Sequence, residues 1–221
     1  MPVYHNHKLV HIHIPKTAGT AIESFFHRIG DMEWGLKSWL GQEKINGRWH
    51  EYQHLSMMEL RSLAESEFPG FTSFAVVRDP YTRLISDFVW RQKIELRYPG
   101  SATQFFDSFD AFLQAIPKDI NTHWSDHIYG ADQARANFLI HIRPQYQFVL
   151  DHKGNCLVDD ILSYENLCQD LHLVLQRFGL HAENIRSPQI REPGEYFSRE
   201  QIKLVNEIYA RDFEDFSYSK A

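Results

Sequence analysis

The chain has 221 residues, 43% of them hydrophobic, which suits one domain with a sizeable core. A formal net charge of −6 excludes a general nucleic-acid binder, so any basic site must be local. Two cysteines, Cys156 and Cys168, stand in no metal or redox spacing and point to a reducing compartment or to simple burial. Thirteen histidines make activity that varies between about pH 5 and 8 an expectation. No apolar run approaches the ~20 residues of a membrane-spanning helix. No signal-peptide pattern precedes the first expected strand.

Leu9, Val10, Ile12 and Ile14 form an apolar strand pattern that Pro15 terminates. Ile22, Phe25, Phe26 and Ile29 then recur at i, i+3, i+4 and i+7, one face of an amphipathic helix. Between them lies Pro15-Lys16-Thr17-Ala18-Gly19-Thr20-Ala21, a turn with a lysine, two hydroxyls and a glycine. A glycine lets backbone amides converge, and a helix N-terminus adds its dipole and unpaired N–H groups, so the turn suits an anion. The other reading is an ordinary strand-to-helix turn. It is not a Walker A loop, because the lysine precedes the glycine and the Gly-Lys-Ser/Thr run whose hydroxyl would hold magnesium is absent. A phosphate-like ligand bound without an obligatory metal is expected.

Residues 31–50 mix Trp34, Trp39 and Trp49 with Gly35, Gly41 and Gly47, and read as a loop lining a cleft or as aromatic cover for the core. Ser56-Met57-Met58-Glu59 is a capping box, with Leu55 and Leu60 placed as a hydrophobic staple, and its helix should run to about Glu67. His54 therefore precedes a firmly fixed helix start, either facing a site or lying on the surface. Thr72–Val77 reads as a second buried strand ending in Arg78-Asp79-Pro80. Asp79 suits the N-cap and Pro80 the first position of a helix whose buried face is Tyr81, Leu84, Ile85 and Phe88. Both turns would open at the carboxyl ends of strands, where ligands bind in α/β sheets. Arg78 offers a forked cation for phosphate, or else pairs with a local carboxylate. Ser86 offers a hydroxyl farther along that helix.

Asp107–Ile116 reads as a short helix. His123-Trp124-Ser125-Asp126-His127 reads as a loop without a third metal ligand or helical spacing, better suited to packing or to acceptor contact. Tyr146–Leu150 and Cys156–Val158 read as a β-hairpin, and Ile161–Tyr164 as a further strand. Leu167, Leu171, Val174, Leu175 and Phe178 define a helix stopped by Gly179. Ser198-Arg199-Glu200-Gln201 is another capping box. The polar loop Arg186–Arg191, with its two arginines, either closes over an anionic ligand or is a solvated surface loop.

These motifs resemble the sulfotransferases that use 3′-phosphoadenosine 5′-phosphosulfate (PAPS). The branch is that of the Golgi carbohydrate enzymes, such as heparan sulfate 2-O-sulfotransferase, and their bacterial relatives. His13-Ile14-Pro15-Lys16-Thr17-Ala18-Gly19-Thr20 is similar to the family's 5′-phosphosulfate loop. The stretch from Val77 to Phe88 is similar to its 3′-phosphate motif, and Tyr52-Gln53-His54-Leu55-Ser56 to its catalytic-histidine segment. Gln145–Glu165 also has the look of the bacterial members.

The resemblance implies a P-loop NTPase-like α/β fold, a parallel sheet flanked by helices in a single domain over residues 1–221. It implies that Lys16 stabilises the departing bridging oxygen and that Thr17, Ala18, Gly19, Thr20 and Ala21 cradle the phosphosulfate. Arg78 and Ser86 would hold the 3′-phosphate, and His54 would take the acceptor's proton, with His50, Glu51 and Glu23 as competing bases. The co-substrate would be PAPS and the product adenosine 3′,5′-bisphosphate (PAP), with no metal expected to be required. The expected acceptor is a hydroxyl on a carbohydrate or glycolipid, and no nucleic-acid or transmembrane partner is expected. Golgi relatives carry an anchor that is not seen here, so a cytoplasmic bacterial enzyme is expected. The rivals are a P-loop kinase acting on ATP and a non-catalytic nucleotide- or carbohydrate-binding protein on the same scaffold.

Overall fold

The computed structural model describes residues 2–32, 42–45, 47–64, 68–101, 103–181 and 196–221. In chain order its elements begin β1 (Val3–Tyr4), β2 (Leu9–Ile12), α1 (Gly19–Arg28), β3 (Gln42–Ile45), β4 (Arg48–Glu51), a 3-10 turn (Tyr52–His54), α2 (Met57–Ala64) and β5 (Thr72–Val77). They continue with α3 (Pro80–Arg97), α4 (Phe109–Gln114), α5 (Ile120–Ile128), α6 (Gln133–Ile142), α7 (Tyr146–Val149), β6 (Asp160–Ser163), α8 (Leu167–Gln176), α9 (Arg199–Ile208) and α10 (Ala210–Asp215). Two compact units form. The first comprises Met1–Gln42, Glu51–Arg78 and Gln147–Ile190, and the second Glu43–His50, Asp79–Tyr146 and Arg191–Ala221.

The first unit is built on a sheet of order β1-β2-β5-β6. β2, β5 and β6 run parallel and β1 is an antiparallel edge. The fold class is thus α/β with a parallel sheet flanked by helices, as the resemblance implied. Strands of such a sheet are covered on both faces and read as continuous apolar runs. Leu9–Ile12 is accordingly buried along its whole length. Even His11 is fully buried there, lying flat on Phe74 at 4.8 Å, and burial pushes its pKa well below the usual histidine range. Pairing of Ile12 with Ala75 and of Val77 with Ser163 brings the carboxyl ends of the three parallel strands to one edge.

Helices α1 and α8 supply Ile22, Phe25, Phe26, Leu171, Val174 and Leu175 to this unit's core, where Tyr4 stacks on Phe26 at 3.5 Å. Each such side chain contributes about 1.5–3 kcal/mol when fully buried. Ile29, expected on the same face, is 41% exposed: α1 ends at Arg28 and the chain turns at left-handed Gly30. The second core clusters α3 residues Tyr81, Leu84 and Ile85 with Phe112, Phe138, Tyr209 and Phe213. A buried polar knot accompanies it. Asp87 receives Arg91 Nε at 2.8 Å and contacts His141 Nδ1 at 2.6 Å, and Arg83 donates to the His141 carbonyl.

Three other expectations need correction. Residues 123–127 are not a loop but part of α5, kinked at His123; Trp124 turns into the core and donates to the Leu139 carbonyl at 3.0 Å. The hairpin expected from Tyr146 to Val158 shrinks to a single bridge, Leu150 to Cys156. Tyr146–Val149 is instead helical, its entry fixed by Gln145 and Tyr146 N–H groups donating to the buried Asp212 carboxylate. Within residues 31–50 the described part contains a hairpin, β3–β4, rather than a loop. Trp49 on it packs against the second core, whereas Trp34 and Trp39 lie outside the described residues. Cys156 is exposed and Cys168 only half-buried, so burial does not explain them. No described helix is long and apolar enough to cross a membrane.

Candidate active site

Where β2 ends, the chain makes two left-handed residues in quick succession, Lys16 at φ 70° and Ala18 at φ 75°. Neither is glycine, so each costs roughly 1–2 kcal/mol. Strain of this kind collects at ligand-binding turns, held by the surrounding structure. Part of the hold is Thr17, buried, whose hydroxyl donates to the Ile14 carbonyl at 2.8 Å and braces the turn from within. Gly19 itself is not left-handed. Its role is clearance: a Cβ there would lie 1.9 Å from His13 Nε2.

Ala18 is the N-cap of α1 and offers no side-chain cap, and no acidic residue occupies the first turn. The positive end of the helix dipole, about half an elementary charge, is therefore left to another anion. Thr20 and Ala21 stand exposed on that first turn.

Arg78, directly after β5, is only 4% exposed. Its Nη1 donates to the Lys16 carbonyl at 3.1 Å, which ties the two strand-to-helix turns together. The guanidinium also lies 4.0 Å over the Tyr164 ring, held against the sheet edge by the Tyr164 N–H bond to the Val77 carbonyl. A buried, stacked, permanently charged fork suits phosphate. Asp79 caps α3 by accepting from Thr82 N–H at 2.8 Å, with Pro80 at the first position. Ser86, half-buried, lies on α3 in the second unit.

His54 is buried at 7% exposure in the 3-10 turn before α2. The expected capping box is present, with Ser56 N–H and Oγ both donating to Glu59 and Glu59 N–H donating to Ser56 Oγ. That box fixes the backbone beside the imidazole. His54 Nδ1 lies 2.8 Å from the His13 carbonyl oxygen. A carbonyl only accepts, so Nδ1 carries the proton and the neutral ring's basic nitrogen is Nε2.

Beneath the turn lies Glu23, 1% exposed. Its Oε1 is 2.6 Å from His13 Nδ1, and both oxygens accept from Gln53 Nε2, at 3.1 and 3.0 Å. Burial alone would raise its pKa, but the close contact with His13, with the Gln53 bond, outweighs it and holds the carboxyl at about 2.

The structure thus gathers Lys16, Thr17, Ala18, Gly19, Thr20, Ala21, Arg78 and His54 in the first unit, and puts Ser86 on a helix of the second. The arginine loop 186–191 lies outside the described residues. Sequence reasoning finds Glu23 only as a competing base and misses the engagement of Gln53 and Tyr164. The available signal is an acidic residue set between Ile22 and Phe26 on the buried side of a helix.

An uncapped, acid-free helix start, a buried arginine and an imidazole fixed by a backbone carbonyl thus stand in one unit. A family model described as "Sulfotransferase family" matches residues 2–219, spanning both units, and the chain belongs to that family of PAPS-dependent transferases. It therefore transfers a sulfuryl group to a hydroxyl-bearing acceptor. No curated protein and no solved structure gives a significant match to the chain.

Proposed function

We propose that both units act as one sulfotransferase domain over residues 1–221, with His54 as general base and an acceptor hydroxyl on a carbohydrate or glycolipid. The observation that carries the base assignment is the 2.8 Å bond from His54 Nδ1 to the His13 carbonyl, which leaves Nε2 as the basic nitrogen. PAPS, when bound, supplies the sulfuryl group and departs as PAP. Thr17, Ala18, Gly19, Thr20 and Ala21, with the N-terminus of α1, bind the 5′-phosphosulfate. Arg78, joined by Ser86, holds the 3′-phosphate.

The acceptor oxygen attacks sulfur in line as the bridging S–O bond breaks. His54 Nε2 takes the hydroxyl proton, and the Lys16 ammonium offsets charge on the leaving oxygen. The turn lacks the Gly-Lys-Ser/Thr run of magnesium-binding loops, so turnover is expected without added metal. The carbohydrate class rests on the motif resemblance.

The test is transfer from radiolabelled PAPS to a panel of carbohydrate and glycolipid acceptors in chelator, comparing wild type with His54→Ala. Labelled product from the wild type and its loss in the variant support the reading. Full turnover by His54→Ala removes the base assignment.

A further inference from the structure

Glu23 is a buried carboxylate with no direct place in the chemistry proposed above. Both of its oxygens are occupied. Oε1 faces His13 Nδ1 at 2.6 Å, and both oxygens accept from Gln53 Nε2. With 1% exposure it has no room to meet an acceptor, so it is a poor candidate for the base itself. Its two partners are the residues that control His54. Gln53 is the covalent neighbour of His54 in the same 3-10 turn. His13 provides the carbonyl that accepts from His54 Nδ1, and its ring meets the His54 ring edge-on at 4.6 Å. The circuit closes from α1 through the end of β2 to the 3-10 turn and back to α1. All four of its members lie in the first unit.

We infer that Glu23 is a positioning residue for His54, acting through His13 and Gln53. The inference rests on the reading of His54 as the base and deepens it. The anchor of His54 Nδ1 is a backbone carbonyl, and a carbonyl fixes direction only if its peptide stays put. Glu23 fixes that peptide by holding the His13 side chain, and fixes the other end of the segment by holding Gln53. Gly19 completes the fit: with no Cβ, it lets the His13 ring lie against the start of α1, within reach of Glu23. A glutamine at position 23 keeps the shape but loses the charge and one acceptor oxygen, so it cannot hold both partners as the carboxylate does.

The test is the tautomeric state of His54, read from long-range nitrogen–proton NMR spectra of selectively labelled protein near pH 7.5, without ligand. The wild type should show one Nδ1–H tautomer. In Glu23→Gln, and in Gln53→Ala, the His54 signals should move toward the average of two tautomers while circular dichroism shows a folded protein. A brace that served stability alone would leave the tautomer unchanged. The inference is overturned if folded Glu23→Gln keeps the wild-type His54 spectrum. If that variant does not fold, Gln53→Ala decides by the same criterion, since it changes a half-buried side chain and leaves the carboxylate in place. Failure of the base assignment is separable: it appears as undiminished transfer by His54→Ala, whatever the spectra show.

Discussion

Arg78 Nη1 donates to the Lys16 carbonyl across 3.1 Å, joining the ends of two parallel strands that are 62 residues apart in sequence. The bond makes the ends of those two strands one object. An arginine can do this and still present other N–H groups to a ligand, because its fork has five donors. Replacing Arg78 by Ala is therefore expected to weaken PAP binding by about 1.5–3 kcal/mol, or roughly 10- to 150-fold in Kd by titration calorimetry. Arg78→Lys should recover little, since a single ammonium cannot stack on Tyr164 and fork at once. An unchanged Kd in Arg78→Ala would remove this residue from the nucleotide site.

Gly19 gives a prediction about packing rather than conformation. A methyl at this position would overlap the His13 imidazole, which is 4% exposed and held by Glu23. Overpacking of this kind costs about 1–3 kcal/mol. Gly19→Ala should therefore lower the calorimetric midpoint by roughly 2–12 °C. A midpoint equal to wild type would mean that the His13 ring moves aside freely.

The Glu23 carboxyl makes acid stability measurable. Its folded pKa of about 2 lies below its ordinary value of 4.5, so it stabilises the native state above pH 4.5. That stabilisation fades as pH falls through the folded value, and is about 3 kcal/mol in all. Urea unfolding of wild type and Glu23→Gln at several pH values between 6 and 2.5 should show the wild type losing more stability over that range. Parallel curves would mean that Glu23 is not paired in solution.

In the second unit, Asp87 is 1% exposed and balances the fully buried Arg91, with His141 on its other oxygen. Removing one partner of a buried pair strands the other, at about 3–5 kcal/mol. Asp87→Ala should lower the midpoint by roughly 6–20 °C or prevent accumulation of folded protein. A loss of only a degree or two would show that Arg91 finds water or another acceptor.

What can be read ahead of the structure is what short-range chemistry determines. Pro15 and Asp79-Pro80 mark two strand-to-helix turns, and Ser56/Glu59 and Ser198/Gln201 mark helix starts; all four stand where the residue pattern places them. The capping interactions bridge only three residues. Residues 123–127 read as a loop because the helical period breaks at His123, whose φ of −121° kinks α5. Gly19 reads as a point of backbone freedom, yet its constraint is the His13 ring, a tertiary contact that a local reading cannot supply. Glu23 is paired with Gln53, 30 residues away, and Arg78 with Tyr164, farther still. Such partners follow from strand order and register, not from any local pattern.

The most direct measurement is a thermal shift with PAP beside ADP and AMP, in chelator. At a hundred times its Kd, a ligand adds about 2.7 kcal/mol, which is roughly 5–10 °C for a chain of this size. Binding of one phosphate at the Lys16 turn and another at Arg78 predicts that rise with PAP and little with ADP or AMP, because only PAP carries both the 5′- and the 3′-phosphate. A rise with ADP and none with PAP would contradict it.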